Sequence, residues 1–285
     1  MYKNNLFLAV SLVMLACLVS CKKDEATNGT KAVFSYVADG YKVNFTNFST
    51  GATSYKWEFG DGSGETSTSR SPQHIFTQKG DFLVSLTAKN GADSSIFIDT
   101  VSIIGPNIKI DGDFSDWQYV AYTHENTGGP TAGTLLGVKT FASSDLLNFY
   151  IEGTADMKIE LFDMYIDADN NAATGFSTFL YPAGSGADFL AEGPIDPNGA
   201  LYKHSGPPSG FTFSPVASFG EVMNFSTIKT ANGKKVIEFS LKKSALGPLS
   251  NYVNFAFIEL TSGYADIGKL PEALNPTSTF IKIPL

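Results

Sequence analysis

Cysteine is nearly missing from this chain. Of 285 residues two are Cys, and Cys17 sits within an apolar run near the start, so the globular part has no pair for a disulfide. Positive charge is also scarce. Twenty Lys+Arg stand against 28 Asp+Glu, a net charge of −8 that argues against a nucleic-acid partner. The deficit falls beyond residue 105, where there are 11 Lys, no Arg and 19 Asp or Glu. That acidic excess fits a cation site and disfavours polyanionic glycans. Long amphipathic helical periods are absent. So are Gly-x-Ser-x-Gly, His-Glu-x-x-His and phosphate-loop motifs. The histidines are His74, His124 and His204, with no partner nearby in sequence for a zinc site. Paired carboxylates of glycosidase type are a spatial feature that sequence does not exclude, but no carboxylate lies in an evident cleft motif, and a non-catalytic protein is expected.

What the chain does have is aromatic residues and turns. Its 23 Phe, 12 Tyr, 27 Gly and 13 Pro suit an all-β protein. The length suffices for two domains. Alternating runs at 32–36, 42–46, 55–59, 81–88 and 95–99 predict a first sandwich over 32–104. Gly105-Pro106-Asn107 then breaks the chain. Later runs, among them 135–141, 147–152, 161–167, 188–192, 201–203, 235–241 and 253–258, predict a larger antiparallel sandwich of about nine strands over 107–285.

One stretch carries candidate chemistry. Phe162, Met164 and Ile166 alternate with polar neighbours as in a half-buried strand, which runs into Asp167-Ala168-Asp169-Asn170-Asn171-Ala172-Ala173-Thr174-Gly175. Asp167, Asp169 and Asn171 fall at positions 1, 3 and 5, the opening spacing of an oxygen-ligand calcium loop, with the Ala173 carbonyl at position 7. Position 6 is Ala172 and position 12 is Thr178, so a further carboxylate must come from elsewhere, and Asp188 is the candidate. The expectation is a structural Ca²⁺; the alternative is an Asx-rich turn that caps its own backbone. No His or Cys in the loop suggests zinc.

The N-terminus has its own pattern. Lys3, the apolar run from Leu6 to Leu18 and Leu18-Val19-Ser20-Cys21 resemble a bacterial lipobox. The resemblance implies a signal peptide over 1–20, lipidation of Cys21 and a tether over 21–31. Lys22-Lys23-Asp24-Glu25 resembles the Bacteroidetes-type export signal that sends lipoproteins to the outside of the outer membrane.

Two further resemblances cover most of the chain. Trp57-Glu58-Phe59-Gly60-Asp61-Gly62, Ser71-Pro72-Gln73-His74-Ile75-Phe76 and Lys79 to Leu86 resemble a polycystic-kidney-disease (PKD) domain. This implies an immunoglobulin-like sandwich acting as a spacer, with Trp57 in the core and His74 structural. In the second unit, Ile110 to Trp117, Tyr165 to Asn171 with Thr174-Gly175, Gly186 to Gly193 and Val236 to Leu241 are similar to family 9 carbohydrate-binding modules and dopamine-β-monooxygenase-N-terminal-like (DOMON-like) sandwiches. That resemblance implies calcium at the Asp loop and binding of a polysaccharide or oligosaccharide. Trp117 is the only Trp in this unit, and its place in the opening motif suggests core. Tyr181, Tyr202, Phe211 and Phe213 are then the candidate sugar platform. Together the resemblances imply a surface lipoprotein for glycan capture or uptake, anchored in the outer membrane and serving a TonB-dependent transporter. The alternative is a structural or adhesive surface protein that binds no sugar.

Overall fold

In a computed structural model of the chain, residues 29–285 are described. The expected signal segment 1–20, the Cys21 lipidation site and the run from Lys22 to Glu25 lie outside the described residues. Among the described residues no helix is long and apolar enough to cross a membrane. Two compact units are formed, one of 29–35, 46–72 and 83–99 and the other of 36–45, 73–82 and 100–285.

Seven strands precede Gly105: β1 (Phe34–Asp39), β2 (Lys42–Asn47), β3 (Ser54–Glu58), β4 (Thr66–Ser67), β5 (Gln73–Ile75), β6 (Gly80–Asn90) and β7 (Asp93–Ile103). They form sheets ordered β1-β2-β5 and β4-β3-β6-β7. Side chains of a strand point alternately to opposite faces, so in β6 Phe82, Val84, Leu86 and Ala88 are buried while their neighbours are not. Trp57 is fully buried. Phe34 packs on it at 5.1 Å, and its indole N–H donates to the Ser69 carbonyl at 2.9 Å. Gly60 has φ +72, and a Cβ there would collide with the Leu83 carbonyl, so only glycine fits this turn. His74 is buried edge-on to Phe76. Order begins earlier than residue 32: Thr30 N–H donates to Asp93 at 2.6 Å, and Lys31 bridges to Thr50.

Thirteen strands follow: β8 (His124–Glu125), β9 (Leu135–Ala142), β10 (Leu146–Gly153), β11 (Leu161–Asp167), β12 (Phe189–Gly193), β13 (Ala200–His204), β14 (Phe213–Ser218), β15 (Met223–Phe225), β16 (Lys229–Ala231), β17 (Lys234–Lys242), β18 (Tyr252–Leu260), β19 (Asp266–Leu270) and β20 (Ile281–Pro284). The excess over the expected nine comes from β8 and β16, two and three residues long and too short to show alternation, from β19, whose sequence does not alternate, and from β20, an alternating run of only four residues. One sheet is ordered β15-β17-β10-β9-β8 with β16 beside β17; the other is β14-β13-β12-β11-β18-β19 with β20 beside β18. Their facing sides meet in a phenylalanine core. Phe149 stacks on Phe239 at 4.7 Å and meets Phe255 of the other sheet at 5.1 Å, while Phe239 lies 5.9 Å from Phe257. Each such burial contributes about 1.5–3 kcal/mol. The second sheet is also covered on its outer face, where Tyr165, Leu190 and Ile258 lie beneath Tyr181, Ala273 and Phe280.

Two strand-borne glutamates hold the connections. Glu238 of β17 is fully buried and accepts from Asp111 N–H (3.0 Å), Gly112 N–H (2.6 Å) and the Trp117 indole (2.8 Å). Burial pushes its pKa up, and these three donors oppose the shift. The contacts explain why the opening Ile110 to Trp117 run and the Val236 to Leu241 run belong together, with Trp117 in the core as expected. Glu259 of β18 does the same for another loop, accepting from Lys158 N–H (2.6 Å), Ile159 N–H (2.8 Å) and the Thr134 hydroxyl. A Glu238→Gln change puts an amide N–H₂ against one or more of these donors. It should lower stability by about 1–3 kcal/mol, measured as the midpoint of urea unfolding followed by tryptophan fluorescence. An unmoved midpoint would show that the carboxylate does not hold the opening segment.

Candidate metal centre and its aromatic rim

The centre is built at the end of β11. Asp167, the last residue of that strand, is 3% exposed. Its Oδ1 accepts from Asn170 N–H (2.7 Å) and Asn171 N–H (3.3 Å), and its Oδ2 from the Asn254 amide (3.0 Å) across the register with β18. The chain then turns back through Asn170 at φ +61, a conformation asparagine tolerates. Asn170 in turn donates to the Tyr252 carbonyl at 2.8 Å. Asp169 accepts from Asn171 N–H and the Thr174 hydroxyl, both at 2.9 Å. Asn171 Oδ1 accepts from Ala173 N–H at 3.2 Å, so these two expected ligands share an Asx turn.

Asp188 arrives from the segment leading into β12. Its N–H donates to Ile166 O (2.9 Å), and its Oδ2 accepts from Ala168 N–H (2.8 Å) and Asp169 N–H (3.1 Å). The approach is tight. Gly186 has φ +60, and a Cβ there would lie 2.6 Å from Ala172 Cα, so glycine lets the two segments cross. Oxygens of Asp167, Asp169 and Asp188 then lie within 4.8 Å of one another. At that spacing two unit charges repel by about 3 kcal/mol with an effective dielectric near 20. Burial raises the pKa of both Asp167 and Asp188; the charge of Asp169 raises Asp188 further, while backbone donors and Lys203 pull it down. An oxygen-only donor set with irregular loop geometry suits a hard cation of calcium type.

The four candidate platform residues separate. Tyr181 is 1% exposed, and its hydroxyl donates to Pro271 O at 2.8 Å, so it belongs to the outer-face core and presents no face to a ligand. Segment 271–280 packs over it, which sequence alone does not reveal. Tyr202 is half-buried against the same cluster. Phe211 and Phe213 come together, 5.1 Å apart, and both meet Phe176, at 5.2 and 5.8 Å. Phe213 also contacts the His204 ring at 5.2 Å. Phe211 remains 59% exposed, and Phe179 is 79% exposed. Phe176 directly follows the Asp loop and is fixed by paired hydrogen bonds with Ala187 (2.7 and 2.8 Å). Phe176, His204 and Asn254 have no sequence signal beyond residue type; they join the site through strand pairing, Phe176 with Ala187, His204 from β13 and Asn254 opposite Asp167.

Lower on β11, Asp163 lies opposite Glu192 of β12. Its Oδ1 is buried with no hydrogen-bond partner. Burial, reinforced by the charges of Glu192 and Asp266, pushes the carboxyl up to about 7.

The N-terminal strands define an immunoglobulin-like sandwich with a central tryptophan. Residues 29–96 match the family model described as PKD domain, and this part of the chain is a PKD domain. Among solved structures, the PKD1 domain of Vibrio cholerae metalloprotease PrtV is 30% identical, with 26% of this chain and 96% of that one covered and a TM-score of 0.24. The PKD1 domain of Vibrio anguillarum Epp is 28% identical, covering 27% and 96%, with a TM-score of 0.26. A structure from work on the promiscuous specificity of β-sandwich carbohydrate-binding modules is 13% identical, covering 82% of this chain and 97% of that one, with a TM-score of 0.24. No curated protein matches the chain.

Asp163 gives a pH prediction. Its folded pKa is raised above the ordinary aspartate value of about 3.9, so its favourable contribution is complete below that value and is lost as pH rises through about 7. Asp163→Asn should flatten this loss, raising the melting temperature at pH 8 relative to wild type and leaving pH 4 little changed. Parallel melting curves for the two proteins across pH 4–8 would refute it.

Proposed function

We propose that the C-terminal sandwich is a non-catalytic, calcium-stabilised glycan-binding module, and that the PKD domain acts as its spacer. The observation that carries this reading is the gathering of the Asp167, Asp169 and Asp188 carboxylates within 4.8 Å, in the loop that leads into Phe176, on whose ring the exposed Phe211 rests at 5.2 Å. Asp167, Asp169 and Asp188, with Asn171 and the Ala173 carbonyl, would hold the ion. Its work is to pin the end of β11 against the segment entering β12, and so to fix Phe176, on which Phe211 and Phe213 lean. A sugar ring would stack on Phe211, since a flat apolar face suits the C–H face of a pyranose.

Two readouts on the full-length protein test this. Chelator should lower the melting temperature and calcium restore it, by about 2.7 kcal/mol at a hundredfold excess over Kd. Asp169→Asn, at an exposed position, should blunt the response. In pull-downs on a polysaccharide panel, Phe211→Ala should weaken retention about tenfold, the 1.4 kcal/mol of a lost aromatic stack. A melting curve indifferent to chelator would leave the loop an Asx turn. Absence of retention on every polysaccharide would favour a structural or adhesive role instead.

We further propose that lipidated Cys21 anchors the protein in the outer membrane, facing outward, where it would deliver glycan to a TonB-dependent transporter. The lipobox-like Leu18-Val19-Ser20-Cys21 and the following Lys23-Asp24-Glu25 support this reading. Protease added to intact cells should degrade the protein; complete protection would refute the outward orientation.

A further inference from the structure

The longest strand at any sheet edge is β7. It ends the order β4-β3-β6-β7, and among the described residues no strand pairs with its outer side. Such an edge is a template for another chain, and proteins guard it with Pro, Lys or brevity. The edge strand β14 carries Pro215, and β4, β5 and β8 have two or three residues. The eleven residues of β7 include no Pro, Lys or Arg. Its exposed side chains are instead apolar at the centre: Ile96 is 64% and Ile98 58% exposed, on either side of half-buried Phe97. On β6, Leu83 stands 66% exposed between buried Phe82 and Val84, so it shares this outer face. Away from the edge the face turns polar, with the Lys56–Glu58 ion pair on β3.

The backbone shows which residues could pair. A two-residue loop, Gly91-Ala92, joins β6 to β7, so Asp93 and every second residue after it direct their N–H and C=O toward β6. Ser94, Ile96, Ile98, Thr100 and Ser102 direct theirs away. The Tyr36 hydroxyl marks that side, donating to the Thr100 carbonyl and accepting from the Ser102 N–H, each at 3.4 Å.

The sequence of β7 matches itself in one register. Antiparallel pairing about a two-fold axis at Phe97 sets Ile96 opposite Ile98 of a second copy, twice, and both residues direct their backbone outward. Ser95 then faces Asp99, and no carboxylate faces another. With the axis at Ile96, Asp93 would face Asp99, and like charges directly opposite are destabilising. With the axis at Ile98, Ile96 would face Thr100 and Asp99 would face Phe97. The charges thus select the register that also joins the isoleucines, a pattern any other strand would have to reproduce.

We propose that β7 pairs antiparallel with β7 of a second copy of this chain about Phe97, so that two four-stranded sheets become one of eight strands. The proposal is independent of the calcium and glycan readings. Nine paired residues span about 30 Å, and one strand's width along that length is less than the roughly 800 Å² per partner of a standard interface. The dimer is therefore a weak one, favoured by high local concentration.

The test uses the chain from Lys22 onward, which keeps every described residue and holds no cysteine. In sedimentation equilibrium its average mass should rise toward twice the monomer's as concentration approaches about 1 mM. Ile96→Lys combined with Ile98→Lys should remove that rise and leave the melting temperature nearly unchanged, since both side chains are exposed. Register is read by disulfide formation. Ile96→Cys and Ile98→Cys proteins, mixed, should form the mixed dimer at least tenfold faster than either forms a dimer alone, because only the mixed pair stands directly opposite. A chain that stays monomeric to about 1 mM, or a dimer that survives the double lysine change, overturns the proposal. Equal cross-linking rates in the three samples would overturn it too, showing apolar association without strand pairing.

Discussion

Buried carboxylates accepting backbone N–H groups hold the C-terminal sandwich together at its connections. Glu238 takes the opening segment through Asp111, Gly112 and the Trp117 indole. Glu259 takes the turn before β11 through Lys158 and Ile159. Asp188 takes the Asp loop through Ala168 and Asp169. A carboxylate removed from water costs several kcal/mol unless donors surround it, and charge-assisted bonds to N–H groups are about twice as strong as neutral ones. Each acid is thus stable only with its loop in place, and each loop is satisfied only with its acid. This coupling serves where a disulfide would in other small-looped β proteins, and the globular part has no cysteine pair.

The Asp loop carries that logic past its limit. Two or three donors satisfy each carboxylate singly, but three carboxylates within 4.8 Å are a like-charge cluster that backbone dipoles only partly offset. The proposed small hard cation would relieve this repulsion. The crossing of Gly186 over Ala172 brings the second segment close enough for Asp188 to join. The same strand pairing sets the surroundings: His204 N–H donates to Asp188 O at 2.8 Å, so β13 ends at the Asp loop. Tyr202 and His204 then fall among the outer-face aromatics and Lys203 on the other face, by Phe189.

The outer face of the second sheet is the other departure from a simple sandwich. A sheet with one wet face alternates polar and apolar residues; β11 instead buries Met164, Tyr165, Ile166 and Asp167 in succession. Segments 176–187 and 271–280 make the cover, with the Tyr181 hydroxyl bound to Pro271 O. Under its edge Asp163 is left with an unpartnered oxygen beside Glu192, a stability cost the fold carries at neutral pH.

Local pattern was legible where one face is buried and the other wet. β2, β6 and the second half of β10 follow from alternation, and Trp57 and Trp117 follow from their place in alternating or turn-rich runs. The spacing of Asp167, Asp169 and Asn171 places those side chains near one another in any turn. Tertiary structure decided the rest. Strands of two or three residues hold no period to read. Asp188 and Asn254 reach Asp167 only through the register of β12 and β18, and register is set by which faces bury together, a property of the whole sheet. Tyr181 and Phe211 are alike in sequence, both aromatic and both near Gly and Pro, yet one is sealed beneath 271–280 and the other stands in solvent. The composition and period of a strand determine that an aromatic residue will be placed on a face; only the packing of distant segments determines whether that face is covered, because burial is a sum over contacts that no single stretch contains.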